Sequence, residues 1–171
     1  MAIFKQMKRI AVFPGSFDPF TIGHESIVRR ALLLFDEIII AIGKNTNKKE
    51  FYPIEKREEW IKEVFQDEEG VKVMSYEGMT VDFCKSRNAR FLLRGLRTAY
   101  DFEYERAIAQ VNKAMESDIE SVFLLTSPEH THINSSIVRD ILRQGGNASK
   151  FLPGNKVLKE KIINETPKKN R

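Results

Sequence analysis

Short runs of consecutive apolar residues alternate along the chain with stretches in which apolar residues recur every three or four positions. The first run, Ile10 to Phe13, reads as a buried strand, and a helix follows with Ile27, Val28, Ala31, Leu32 and Phe35 on one face. Glu37 to Ile42 is a second strand, nearly all apolar, as strands covered on both faces of a parallel sheet are. A polar loop from Gly43 to Pro53 precedes a helix that starts near Ile54 and carries Trp60, Ile61, Val64 and Phe65. Further strands are expected at Val71–Ser75, Arg90–Leu93 and Ile119–Leu125. Further helices are expected at Thr80–Arg87, from about Asp101 to Met115, at Ile137–Arg143 with Asn134 or Ser135 as cap, and after Pro153. Strand–helix alternation of this kind predicts an α/β, Rossmann-like, doubly wound sheet of five parallel strands in a single domain. That domain is expected to span residues 1–163, with 164–171 a disordered basic tail.

Every polar cluster of note follows a strand: Gly15 to His24, then Lys48, Gly78 to Thr80, Arg94 to Arg97, and Ser127 to Ser136. In an open α/β sheet the strand carboxyl ends form the ligand crevice, so these clusters should meet there.

The turn after the first strand contains Gly15, Ser16, Phe17, Asp18, Pro19, Thr21, Gly23 and His24. Gly15 allows close approach of backbone to a ligand, and Thr21 is a plausible helix cap. Backbone N–H groups and the positive helix end suit an anion. A cationic ring is disfavoured at that end, so His24 is expected to be neutral and to donate one hydrogen bond to developing phosphate charge. Packing against the sheet is the plain alternative. The turn is neither a Walker A loop nor a Gly-x-Gly-x-x-Gly fingerprint.

Arg94-Gly95-Leu96-Arg97 places an arginine at the end of a buried strand, where it is costly without an anion. Glu105, eleven positions on from Arg94, reads by default as an exposed helix residue paired with Arg106 or a nearby lysine. Asn134, Ser135 and Ser136 place small polar groups at a helix start, which fits either triphosphate oxygens or simple capping. Arg139 reaches either a phosphate or a neighbouring acid. Lys48 is either a phosphate ligand or a solvated lysine, with Lys44 and Lys49 as neighbours. The His-x-His of His130 and His132 lacks further ligands for a zinc site, and no metal-ligating residue is assigned.

Charge and composition narrow the class. The net charge is +4 over 171 residues, and much of the excess lies in the tail. No basic stripe interleaved with aromatics appears, so nucleic acid is not an expected partner. No apolar run reaches the roughly 18–20 residues of a membrane helix, and no signal-peptide pattern opens the chain. A lone cysteine, Cys84, excludes an internal disulfide and fits a reducing cytoplasm. A cytoplasmic location is therefore expected.

Gly-Ser-Phe-Asp-Pro followed by Thr-x-Gly-His resembles the nucleotidyltransferases with the (H/T)xGH signature, and within them the bacterial phosphopantetheine adenylyltransferases. The likeness runs from about Arg9 to about Gly154, through the Arg94–Arg97 block, Asp101–Glu105 and Ile133–Arg139. It departs mildly at Ile22 and Asn134, where relatives more often carry a polar residue and Ser. The resemblance implies adenylyl transfer from ATP to 4′-phosphopantetheine, giving dephospho-CoA and pyrophosphate. It makes His24, Lys48 and Arg97 catalytic. Ser16, Lys48, Thr80 and Arg94 would bind phosphopantetheine. Ser16, Phe17, His24, Gly95, Leu96, Arg97, Glu105, His130, Thr131, His132, Ile133, Asn134, Ser135 and Ser136 would bind ATP. It further implies Mg²⁺ bound mainly through ATP phosphates, CoA as a feedback inhibitor, and a homohexamer. Rival readings are a relative acting on another phosphorylated acceptor, a class I aminoacyl-tRNA synthetase fragment with its His-Ile-Gly-His, and a non-catalytic nucleotide sensor. The Arg94–Arg97 block and the short length favour the pantetheine enzyme over the first, the second needs a tRNA-binding domain, and the third has no use for His24, Lys48 and Arg94 together.

Overall fold

The computed structural model describes residues 7–44 and 49–167. Its strands are β1 (Ile10–Gly15), β2 (Glu37–Gly43), β3 (Val71–Tyr76), β4 (Phe91–Leu96) and β5 (Glu120–Leu125). The helices are α1 (Ile22–Ala31), α2 (Ile54–Val64), α3 (Thr80–Ser86), α4 (Ala99–Met115), α5 (Ser135–Arg143) and α6 (Lys156–Asn164). A single 3-10 turn, Pro128–His130, lies between β5 and α5. All strand pairs are parallel, in the order β3-β2-β1-β4-β5. The chain therefore reverses its winding between β1 and β4, and there the crevice forms.

Alternation along the strands divides the core. Ala11, Phe13, Ile38, Ile40, Ile42 and Leu93 face α1 and α2, where they meet Ile27, Val28, Ala31, Ile61 and Phe65. Val12, Ile39, Ala41 and Leu92 face the other way and meet Val81, Phe83 and Cys84 of α3. A third cluster joins Tyr52 and Trp60 to Val138 and Leu142 of α5 and to Leu158 and Ile162 of α6. It locks the C-terminal helices to the loop after β2. The exception is α4, whose only buried residue is Glu105.

The strands run further at their carboxyl ends than the apolar runs do. β4 was expected to stop at Leu93, yet pairs with β5 as far as Leu96↔Leu125. Arg94 and Gly95 therefore lie within the ladder. The space a Cβ would occupy at Gly95 lies 3.3 Å from Ile27 of α1. On the other side of β4 the ladder is short. β1 pairs with β2 from Ile10↔Glu37 to Gly15↔Ile42, but with β4 only at Ala11↔Phe91 and Val12↔Leu92. Continued in register, Pro14 would stand opposite Arg94. Proline has no N–H to donate, so the ladder cannot continue there. The Pro14 carbonyl instead accepts from the Arg94 guanidinium at 2.7 Å.

Candidate active site

Beyond Val12 the parted strands open a cleft of about 600 Å³, lined by Phe13 to Asp18, Thr21, His24, Arg94, Gly95, Arg97 and Ile133 to Ser136. Segments that follow β1, β4 and β5 thus meet on one edge, as the spacing of the polar clusters predicts.

His24 is the third residue of α1. The cap residue Thr21 has extended backbone (φ −120°, ψ 165°), and its N–H donates to His24 Nδ1 at 3.0 Å. Because a backbone amide is an obligatory donor, Nδ1 must be the acceptor nitrogen. The ring's one proton then sits on Nε2. The rings of Phe17, Phe20 and Phe13 stand 5.2, 5.3 and 6.3 Å from the imidazole. Burial among them, followed by the charges of Arg97 and Arg94, pushes its pKa down to about 4. The ring is therefore neutral at physiological pH. The cause differs from the helix-end effect the sequence suggests, since desolvation leads and the charges of Arg97 and Arg94 follow.

The turn that carries the ring is tied down on several sides. Phe17 adopts a left-handed conformation (φ 46°), with its ring packed over Gly15, where an added Cβ would come within 2.8 Å. Only glycine fits at that position. The Asp18 carboxylate accepts the N–H groups of Phe51 and Tyr52 at 2.7 and 2.9 Å. Arg57 donates to the Ser16 carbonyl at 2.6 Å. From α5, the Ser135 hydroxyl donates to the Pro19 carbonyl at 2.9 Å, and Arg139 donates to the Asp18 carbonyl at 2.5 Å and to Ser136 Oγ at 3.0 Å. Asn134, not Ser135, caps α5, its Oδ1 accepting from the Ile137 N–H at 2.9 Å. Ser135 is left free of capping and sits in the cleft wall with Ser136.

Arg94 projects from β4 toward α4 and meets Glu105 there, Nε at 2.7 Å from Oε2 and the second nitrogen against Oε1. Glu105 is therefore a buried counter-ion and not an exposed partner of Arg106, which pairs with Glu103 instead. The Arg94–Glu105 pair borders the main cleft on one side. On the other it borders a second cavity of about 370 Å³, lined by Tyr76, Met79, Thr80 and Ile108 among others. Thr80 Oγ1 lies 2.8 Å from the Tyr76 hydroxyl in that cavity. Arg97 stands at the cleft mouth with its guanidinium 3.4 Å from Asp101.

Not every residue named from the sequence meets the cleft. His130 ends the 3-10 turn beside it, Thr131 and His132 follow that turn, and none of the three lines the cleft. The His130 Cβ instead lies 3.7 Å from where a Gly23 side chain would start, and His132 packs edge-on to Phe151. Leu96 is buried beneath the floor. Lys48 lies outside the described residues; Lys49 lines the cleft. Among the described residues no group of His, Cys, Asp and Glu has the geometry of a metal cage. The four carboxylates of the cleft wall are each engaged: Asp18 by amides, Glu50 by Arg57, Asp101 by Arg97, and Glu105 by Arg94.

Known proteins resemble this chain in sequence and in fold. The cytidylyltransferase-like family model matches residues 12–141. Phosphopantetheine adenylyltransferase of Flavobacterium psychrophilum is 54% identical over 145 residues, 85% of this chain and 95% of that one. The protein of the same name from Leptospira biflexa is 47% identical over 147 residues, 86% of this chain and 92% of its own. The chain belongs to the phosphopantetheine adenylyltransferase family. Among solved structures, a putative nicotinate-nucleotide adenylyltransferase from Vibrio parahaemolyticus superposes with a TM-score of 0.65 at 20% identity, covering 92% of this chain and 99% of that one. That likeness speaks to the fold.

In this member of the adenylyltransferase family, sequence reasoning passed over Arg57. It lines the cleft, is 2% exposed, and occupies the apolar stripe of α2 between Ile54 and Ile61. A cation on an apolar stripe was the signal that could have found it. Asp18 was seen as part of a motif and given no role. The N–H groups that donate to it, from Phe51 and Tyr52, belong to the loop after β2, a pairing no local pattern announces.

Proposed function

We propose that this protein transfers the adenylyl group of ATP to 4′-phosphopantetheine, releasing pyrophosphate and forming dephospho-CoA. The observation that carries this reading is the neutral, Nε2-protonated His24 facing Arg94 and Arg97 across a cleft that adjoins a second cavity at Arg94. Two cavities that meet at Arg94 suit two phosphorylated molecules that react end to end. Triphosphate lies in the larger cleft, against Arg97 and the first turn of α5, where Ser136 presents its hydroxyl and Ser135 and Ser136 their amides. The acceptor's phosphate lies toward Arg94 and Ser16, and its uncharged arm in the cavity of Thr80, Met79 and Ile108; Lys48, which the resemblance adds to the phosphate ligands, falls outside the described residues.

Chemistry then requires no covalent intermediate. An oxygen of the acceptor phosphate attacks the α-phosphorus in line, and the bond to the bridging oxygen of pyrophosphate breaks. Charge grows on the α-phosphoryl oxygens, and His24 Nε2–H is placed to donate to it. A preorganised donor of this kind contributes about 10²–10³ in rate. A protonated imidazole is unnecessary, because Arg94 and Arg97 already supply positive charge. Mg²⁺ enters as the Mg²⁺ complex of ATP, a reading supported by the absence of a free carboxylate among the described residues of the cleft wall. CoA, which shares the product's chemistry, is the expected inhibitor at the same cavities. Homohexameric assembly in the cytoplasm belongs to the same reading. Association is supported by α4, which leaves Phe102, Tyr104, Ile108, Val111 and Met115 exposed.

Pyrophosphate release from ATP is measured with 4′-phosphopantetheine, with nicotinate mononucleotide and with no acceptor. Release with phosphopantetheine alone is the expected result. Release that requires a different acceptor, or that needs none, sinks the reading.

A further inference from the structure

Arg57 is disfavoured where it stands. It is buried, it sits in the first turn of α2 where the helix dipole is positive, and its neighbours on the stripe are apolar. Its donors account for the position. Nε donates to the Tyr52 carbonyl at 2.9 Å, one terminal nitrogen donates to the Ser16 carbonyl at 2.6 Å, and the other pairs with Glu50. Asp18 answers from the opposite side through the amides of Phe51 and Tyr52. Two side chains of opposite charge thus cross-tie the turn after β1 to residues 50–52, the end of the loop that follows β2. The turn carries His24, and the loop brings Lys49 into the cleft wall.

We propose that Arg57 is a positioning residue for the transfer reaction. Its planar fork sets the distance between the His24 turn and the loop that receives the acceptor's phosphate. The proposal rests on the adenylyl-transfer reading given above. Lysine keeps the charge, but a single ammonium cannot reproduce the fork geometry that spans Ser16, Tyr52 and Glu50. A misplacement of about 1 Å between reacting groups costs about 100-fold in rate.

The test uses the full-length protein with Arg57→Lys, and Asp18→Asn as a second variant that loosens the same tie from the other side. Readouts are kcat, KM for each substrate, the ATP dissociation constant measured without acceptor, and hydrogen exchange at the amides of residues 51 and 52. We expect kcat to fall by about 100-fold in Arg57→Lys, KM for phosphopantetheine to rise, and the ATP dissociation constant to stay unchanged. Exchange should accelerate at residues 51 and 52 while the β2 amides keep their protection. A parallel loss of ATP affinity with faster exchange throughout the sheet would make Arg57 a core residue only and overturn the proposal. Wild-type kcat and exchange in the lysine variant would overturn it equally. Wild-type protein inert toward both substrates would overturn the reaction itself, and the catalytic half of the proposal with it. An active lysine variant with unaltered exchange would overturn the positioning alone.

Discussion

In the first turn of α1 a backbone amide decides where an imidazole keeps its proton. Thr21 N–H occupies Nδ1 of His24, and the aromatic surroundings with Arg97 and Arg94 keep the ring uncharged down to a pKa of about 4. His24→Ala should therefore lower kcat by about 10²–10³ and leave ATP affinity nearly intact. Equal losses in both, read from steady-state kinetics and direct ATP titration, would reduce the ring to a ligand or a packing group. The same ring makes a pH prediction. Its folded-state pKa lies below the ordinary value of 6.5, so the unfolded chain takes up the proton first as pH falls. The stability contributed by the neutral ring is complete above about pH 6.5 and is lost as pH falls toward about 4. His24→Gln should flatten the decline in melting temperature across that window; an unchanged slope would mean the ring charges freely. The candidacy of His24 was legible in sequence because Thr-x-Gly-His fixes its place in a helix turn. The reason for its neutrality was not, because Phe13, Phe17 and Phe20 converge on it only once the turn has folded.

At the scale of elements, β4 and α4 share one ion pair. Arg94 comes from a strand and Glu105 from a helix, eleven residues apart in sequence and bonded through two nitrogens. A helix that buries nothing else is docked here by charge. Removing one partner leaves the other buried and unmatched, the costly case for ion pairs, about 3–5 kcal/mol when burial is complete and less here, where Arg94 is 30% exposed. Arg94→Ala should lower the melting temperature and raise KM for phosphopantetheine. Adding Glu105→Gln should restore much of the stability but not the acceptor affinity. If the double variant recovers both, Arg94 serves only to hold Glu105. Sequence located both residues and misjudged their relation, since periodicity gives a helix face but not what that face meets. The long β4 was hidden for a related reason. Arg94 and Gly95 look like a loop until β5 is seen to pair alongside them. The parallel five-stranded sheet, by contrast, followed from the run of βα units.

At the scale of the whole molecule the surface is uneven. α1, α2, α5 and α6 are seated in continuous apolar clusters, whereas α4 turns Val111 (57% exposed) and Met115 (46% exposed) to solvent. Under the assembly proposed above, this exposed apolar face is the expected contact surface. Val111→Glu with Met115→Lys should shift sedimentation toward the single chain without altering its helix content, and unchanged mass would move the contact elsewhere. Composition could not foretell this, because exposed and buried apolar residues read alike until a fold sorts them. The cleft too belongs to the molecule as a whole, since four strands' worth of loops must arrive together to wall it. Its existence nonetheless traces to Pro14, next to last in a central strand and opposite Arg94 in register. A sheet normally zips until its strands run out. Here one missing hydrogen atom on a ring nitrogen halts the zipper two rungs in, and the gap left open is the cleft itself.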